Sequence, residues 1–130
     1  EISKEKVIFF PIHPRTKKRI SEFGLEKYTN NFVMSEPIDY LRLMELVRHS
    51  WKVITDSGGL QKEAYFGKKR CIVLMPDTGW REIVESGWNV LANEDTLVEK
   101  VLSEDEVIYP ENLYGDGRTG EKIVEMLVRR

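Results

Sequence analysis

The chain has 130 residues, 41% hydrophobic and 32% charged, which suits one folded domain (1–130) and argues against disorder. Twenty Lys and Arg against 22 Asp and Glu leave a formal net charge of −2, so no bulk electrostatic pull draws the chain to nucleic acid or to an anionic membrane. A single cysteine, Cys71, excludes an internal disulfide, and with only His13 and His49 beside it no zinc site of readable spacing remains. No apolar run approaches the roughly 20 residues that span a bilayer. The alternating charges of Glu1-Ile2-Ser3-Lys4-Glu5-Lys6 do not make a signal peptide, and a cytoplasmic protein is expected.

Short apolar runs alternate with helical stretches along the whole chain. Val7-Ile8-Phe9-Phe10-Pro11-Ile12 reads as a buried strand, followed by a charged helix from about Thr16 to Phe23 with Gly24 at its C-terminal cap. Asn31-Phe32-Val33-Met34-Ser35 is a second strand. Pro37 opens a helix with Ile38, Leu41, Met44 and Val47 at helical spacing, widened by Leu43 and Leu46, and Asp39 complements its dipole. Lys52-Val53-Ile54-Thr55 is a third strand, broken by Ser57-Gly58-Gly59, and a helix from roughly Leu60 to Phe66 ends at Gly67. Arg70 to Met75 is the most apolar strand and stops at Pro76. A helix through Arg81 to Ser86, a strand at Asn89–Ala92 and a helix carrying Leu97, Val98, Val101 and Leu102 follow. After a loop from Pro110 to Gly117, Ile123, Val124, Met126 and Leu127 are expected to form the buried stripe of a last helix. Strand and helix alternate strictly, and the strands are apolar on both faces. That predicts a Rossmann-like α/β fold, a parallel sheet with helices on both faces.

The strongest chemical signal is Thr55-Asp56-Ser57-Gly58-Gly59-Leu60-Gln61-Lys62-Glu63-Ala64. Open parallel sheets bind ligands at the carboxyl ends of their strands, and a helix N-terminus there offers free N–H groups and partial positive charge to a phosphate. Gly58 and Gly59 remove the Cβ atoms that would hold a diphosphate away, and Ser57 adds a hydroxyl. Glu63, four residues after Gly59, lies on nearly the same helix face, where a carboxylate accepts hydrogen bonds from a ribose diol. The same glycine pair also fits a plain tight turn. Ser57 lacks the G-x-S-x-G setting of a nucleophilic serine. His13 and Arg15 follow the first strand and are candidates for an anion-facing contact, or for a solvated helix start. His49, near a helix end, suits a structural contact with helix carbonyls, and Cys71 suits a small buried hydrophobe. Asp77 to Glu82 forms a polar loop that can close over a neighbouring ligand or be capped by Asp77 or Thr78, and Tyr114 to Thr119 is a glycine-rich helix entry.

Together these segments resemble the C-terminal half of the non-hydrolysing UDP-N-acetylglucosamine 2-epimerases. The carriers are Pro11-Ile12-His13-Pro14-Arg15-Thr16, Glu36-Pro37-Ile38-Asp39-Tyr40-Leu41, the Thr55–Ala64 run and Tyr114-Gly115-Asp116-Gly117. The resemblance implies one half of a GT-B-type two-domain fold, with UDP clasped between the halves and this chain as the half that grips it. It implies that Ser57, Gly58 and Gly59 contact the diphosphate, that Glu63 takes the ribose hydroxyls, and that Leu43 lies beside the uracil. His13 matches a family histidine near the substrate or effector site, with Arg15 beside it. The implied ligands are UDP and a UDP-N-acetylhexosamine, with no cofactor or metal, and the full-length protein is implied to be a homodimer. The family reaction inverts C2 of the sugar by eliminating UDP and adding it back, and its acid/base carboxylates belong to the N-terminal half. That half, and a His-Arg-Arg-Glu-Asn-like motif before Glu1, lie outside this sequence, so the 130 residues alone are expected to be inactive. Val7–Ile12 then resembles the second strand of the half, and a sheet position is expected to stand unfilled. The family's Arg-Asp-x-Thr-Glu-type loop reads Met75-Pro76-Asp77-Thr78-Gly79-Trp80-Arg81-Glu82 here, with Pro76 in place of the arginine. The sugar is therefore open between UDP-N-acetylglucosamine and UDP-2,3-diacetamido uronic acids. A GT-B glycosyltransferase domain and a non-catalytic UDP-sugar-binding module are the alternative readings.

Overall fold

The computed structural model describes residues 1–129. Helix α1 (Ile2–Glu5) leads into strand β1 (Ile8–Pro11), helix α2 (Pro14–Glu22), a 3-10 turn (Glu26–Tyr28) and strand β2 (Phe32–Ser35). Helix α3 (Tyr40–His49), strand β3 (Val53–Thr55), helix α4 (Gly58–Phe66) and strand β4 (Cys71–Val73) follow. Helix α5 (Arg81–Glu85), strand β5 (Val90–Leu91), helix α6 (Leu97–Leu102) and helix α7 (Thr119–Val128) complete the chain. No helix among the described residues is long and apolar enough to cross a membrane.

All strand pairs are parallel, and they fall into two ladders. One is β1–β2, with Ile8 opposite Phe32 and Pro11 opposite Ser35. The other runs β3–β4–β5, with Val53 opposite Cys71 and Ile72 opposite Val90. Central β4 alternates between two cores. Cys71 and Val73 meet Val47 of α3 and Ala64 of α4 on one face. Ile72 meets Val101 of α6 on the other, where Ile2 of α1 also packs. Helices thus cover both faces of this sheet, because a strand apolar at every position must be shielded on both sides. A third cluster joins Tyr65 of α4, Ile83 of α5 and Trp88, and it holds the segment carrying Val107, Tyr109 and Leu113. The Tyr65 hydroxyl donates to the Pro110 carbonyl at 2.8 Å and accepts from the Leu113 N–H at 3.3 Å, which anchors that segment without regular structure.

Two features differ from the sequence reading. The stripe on α7 is not buried. Ile123 and Val124 are largely exposed, and Met126 and Leu127 are each 68% exposed, because no other described element packs against that face. The β1–β2 ladder is also only thinly covered, with Phe9 and Val33 open to solvent.

Candidate functional site

Helix α4 starts directly behind the carboxyl end of β3, two residues earlier than the helical periodicity implies. Buried Thr55 sets the turn, since its Oγ1 accepts from the Ser57 N–H at 3.0 Å and its carbonyl accepts from the Leu74 N–H at 2.9 Å. Ser57 is the N-cap, in extended conformation, and its hydroxyl makes no capping bond. The amides of Gly58 and Gly59 open the helix, where backbone N–H groups lack carbonyl partners. Ser57, Gly58 and Gly59 are all exposed.

Neither glycine is required by the backbone. Gly58 and Gly59 stand outside the positive-φ glycines of the chain. A Cβ on Gly58 would meet nothing nearer than the Trp80 Nε1 at 3.7 Å, and one on Gly59 nothing nearer than the Ser57 Oγ at 4.0 Å. The turn therefore does not need glycine for its conformation or its packing. What the missing side chains leave is open space above the free amides. Glu63, one helical turn on, is half-buried, and its carboxylate takes no hydrogen bond or cation among the described residues. It is available to a ligand.

A buried polar network fixes this turn from below. Gln61, fully buried, points inward from α4, and its Oε1 accepts from the Thr78 hydroxyl at 2.7 Å. The Gln61 carbonyl accepts from the Asn89 amide at 3.4 Å, while the Asn89 Oδ1 accepts from the Cys71 N–H at 3.3 Å. The Thr78 Oγ1 also accepts from the Trp80 N–H at 3.2 Å, and the Trp80 indole donates to the Gly58 carbonyl at 2.7 Å. The Lys62 ammonium lies 4.1 Å from the Trp80 ring and 4.1 Å from the Tyr114 ring. The loop after β4 is thus docked onto the first turn of α4. Asp77 caps the Thr78 N–H and pairs with Arg81, and these two contacts hold its carboxyl below the usual carboxylate range. Gln61, Thr78, Trp80 and Asn89 escape a search for charged or nucleophilic groups. Only Gln61 carries a sequence signal, a polar residue on the inward face of a short helix; Thr78 and Trp80 lie in the loop before α5 and Asn89 just before β5.

The remaining candidates are placed elsewhere. Leu43 is half-buried on α3, the helix that shares a core with α4. His13 and Arg15 stand exposed at the carboxyl end of β1, and no hydrogen bond or ion pair joins them to residues 57–63. His13 is the N-cap of α2, its Nδ1 accepting from the Arg15 N–H at 3.2 Å. His49 differs from its expected role, since its Nε2 lies 2.9 Å from the Glu45 carboxylate instead of on helix carbonyls, one turn back on the same face. Cys71 is buried, and burial pushes its thiol pKa up to about 12.

The fold and the turn define a parallel α/β domain that presents a free helix N-terminus behind a strand and a carboxylate one helical turn further on. The chain belongs to the UDP-N-acetylglucosamine 2-epimerase family, whose profile matches residues 1–128. It is 40% identical over 131 residues to a UDP-N-acetylglucosamine 2-epimerase homolog of Methanococcus maripaludis, covering 96% of this chain and 36% of that protein. A UDP-2,3-diacetamido-2,3-dideoxy-D-glucuronate 2-epimerase of Pseudomonas aeruginosa is 37% identical over 126 residues, with 94% and 35% covered. The crystal structure of the Methanocaldococcus jannaschii UDP-GlcNAc 2-epimerase in complex with UDP-GlcNAc and UDP matches with a TM-score of 0.79 at 36% identity, covering 98% of this chain and 37% of that one. The chain thus spans little more than a third of the length of these relatives. The expected Rossmann-like half of a GT-B-type fold is the fold it shares with them.

Proposed function

We propose that this chain is the UDP-binding half of a nucleotide-sugar 2-epimerase that interconverts UDP-N-acetylglucosamine and its C2 epimer. The observation that carries the reading is the open space over Gly58 and Gly59, in a turn whose conformation and packing do not call for glycine. The diphosphate occupies that space against the two amides and the Ser57 hydroxyl, in a field made favourable by the helix dipole. Glu63 takes the ribose hydroxyls, and its distance along the helix keeps its charge from the phosphates. Leu43 flanks the base, and His13 and Arg15 face the sugar side. Loss of UDP from C1 and of the proton from C2 leaves a glycal, and return of UDP to the same face of C1 with delivery of a proton to the opposite face of C2 gives the epimer. The groups that remove and return the C2 proton come from the rest of a longer, homodimeric and cytoplasmic enzyme.

The Pseudomonas relative acts, by its name, on a diacetamido uronic acid sugar. Met75 and Pro76 at the start of the docked loop leave the sugar side without the family's arginine, so both sugars belong in the test. The full-length protein is incubated with each UDP-sugar in deuterium oxide. The expected product is the C2 epimer carrying deuterium at C2, because the proton removed exchanges before re-addition. Transfer of the sugar to an acceptor with no epimer formed would replace this reading by the glycosyltransferase one.

A further inference from the structure

The end of the domain opposite the nucleotide turn carries a second, unassigned feature. Lys52 immediately precedes β3 and Arg70 immediately precedes β4, so both stand at the amino ends of parallel strands. With Lys68, Lys69 and the indoles of Trp51 and Trp88 they line an open cleft of about 340 Å³. That volume falls at the lower end of the roughly 300–1,000 Å³ usual for small-molecule sites.

The charge in this cleft is only partly compensated. Among the described residues, none of the four cations forms an ion pair. Glu104 and Asp105 also border the cleft, but Asp105 turns its carboxylate to the Ser103 hydroxyl. Lys52 instead donates to the carbonyls of Val101 and Ser103, and Arg70 donates to those of Trp88 and Asp105. These carbonyls position both side chains without an ion pair to either. Lys6 adds a fifth cation, since its ammonium and that of Lys52 each lie 4.3 Å from the Trp51 ring. Burial, with Arg70 second, lowers the pKa of Lys52, against smaller opposing pulls from Asp105 and Glu104. Positive groups are held together at a cost that an anion would relieve. Lys68 and Lys69 border the cleft without a hydrogen bond from either ammonium among the described residues, the Lys68 ammonium lying 5.0 Å from the Tyr109 ring, so both keep their N–H donors for a ligand.

We propose that this cleft binds a phosphate-bearing anion at a site separate from the nucleotide turn. Arg70 and Lys52 form its floor, Lys68 and Lys69 its rim, and the two indoles its walls. The phosphate is carried by a small soluble molecule or by a lipid headgroup, which share the chemistry and differ in the experiment. The full-length protein, labelled with nitrogen-15, is titrated with pyrophosphate at constant ionic strength. Saturable shifts of the Lys68, Lys69 and Arg70 amides and of the Trp51 and Trp88 indoles are expected. The Lys68→Gln/Lys69→Gln double variant, whose one loss within the fold is the Lys68 ammonium over the Tyr109 ring at 5.0 Å, should weaken that binding by about tenfold or more, while Lys69→Gln alone leaves that ring contact in place and should weaken it in the same direction. In a parallel arm, co-sedimentation with phosphatidate vesicles that is lost in the double variant would assign the phosphate to a lipid. Shifts confined to Gly58 and Gly59, shifts that chloride reproduces, or equal affinity of the double variant with no vesicle binding would each overturn the proposal.

Discussion

Glu63 and Gly59 separate the two halves of the proposed nucleotide contact. A carboxylate that accepts from a ribose diol makes charge-assisted hydrogen bonds, so Glu63→Ala should weaken UDP by about 1.5–3 kcal/mol in a calorimetric titration. Unchanged affinity would remove Glu63 from the site. Gly59→Val should abolish UDP binding and barely alter the weaker binding of uridine, because the new side chain fills only the space meant for phosphate. The fold has room for it, since nothing lies nearer to that Cβ than 4.0 Å. Equal losses for UDP and uridine would mean the substitution had damaged the turn itself. Below the turn, Thr78→Val keeps the shape of the side chain but strands the buried Gln61 Oε1 and the Trp80 N–H. It should cost about 1–3 kcal/mol in denaturant unfolding, and Thr78→Ser should restore most of it. Cys71 gives a pH signature as well. Its folded pKa of about 12 lies above the unfolded value near 8.5, so its contribution to stability is complete below about pH 8.5 and is lost as the pH rises toward 12.

Most of the elements were legible because apolar runs and glycine stops fall where the chain turns. Asp39, placed by sequence in the first turn of α3, is its N-cap, accepting from the Arg42 N–H at 3.0 Å. Periodicity places the start of α4 two residues late because Gly58 and Gly59 are poor helix formers, yet both are helical behind the Ser57 N-cap. The exposed turn at Ser57, Gly58 and Gly59, proposed to face a phosphate, was legible as a turn because strand, turn and helix are consecutive in sequence. The network of Gln61, Thr78, Trp80 and Asn89 was not, because it joins three segments through neutral side chains that no spacing rule pairs. The stripe on α7 was legible as amphipathic but not as exposed, since periodicity reports which face is apolar and not what covers it. Tyr65 is a further case. Its aromatic character marks a core residue, yet its hydroxyl holds the 107–114 segment at two backbone groups. Tyr65→Phe should leave the Pro110 carbonyl and the Leu113 N–H unpaired. The expected result is faster amide exchange in that segment, with the β3–β4–β5 core unchanged. Uniform exchange across the domain would show that the segment is not separately anchored.

At the scale of the molecule, the decisive fact is the split of five parallel strands into two ladders. β1 pairs only with β2, and β3 pairs only with β4, so each leaves one edge of backbone N–H and C=O groups without a strand partner among the described residues. Such edges are templates for pairing with another chain, and a two-stranded ladder is marginal on its own. The usual protections are weak here. Phe9 and Val33 expose apolar surface on the smaller ladder, the α7 face is bare, and a net charge of −2 offers little repulsion between copies. These 130 residues should therefore self-associate or melt with low cooperativity. Sedimentation over a range of concentrations should show mass rising with concentration. Phe9→Lys, which places a charge on β1, should shift the balance toward monomer. A wild-type chain that stays monomeric and unfolds in one sharp transition would mean that the two ladders already support each other without a strand from elsewhere.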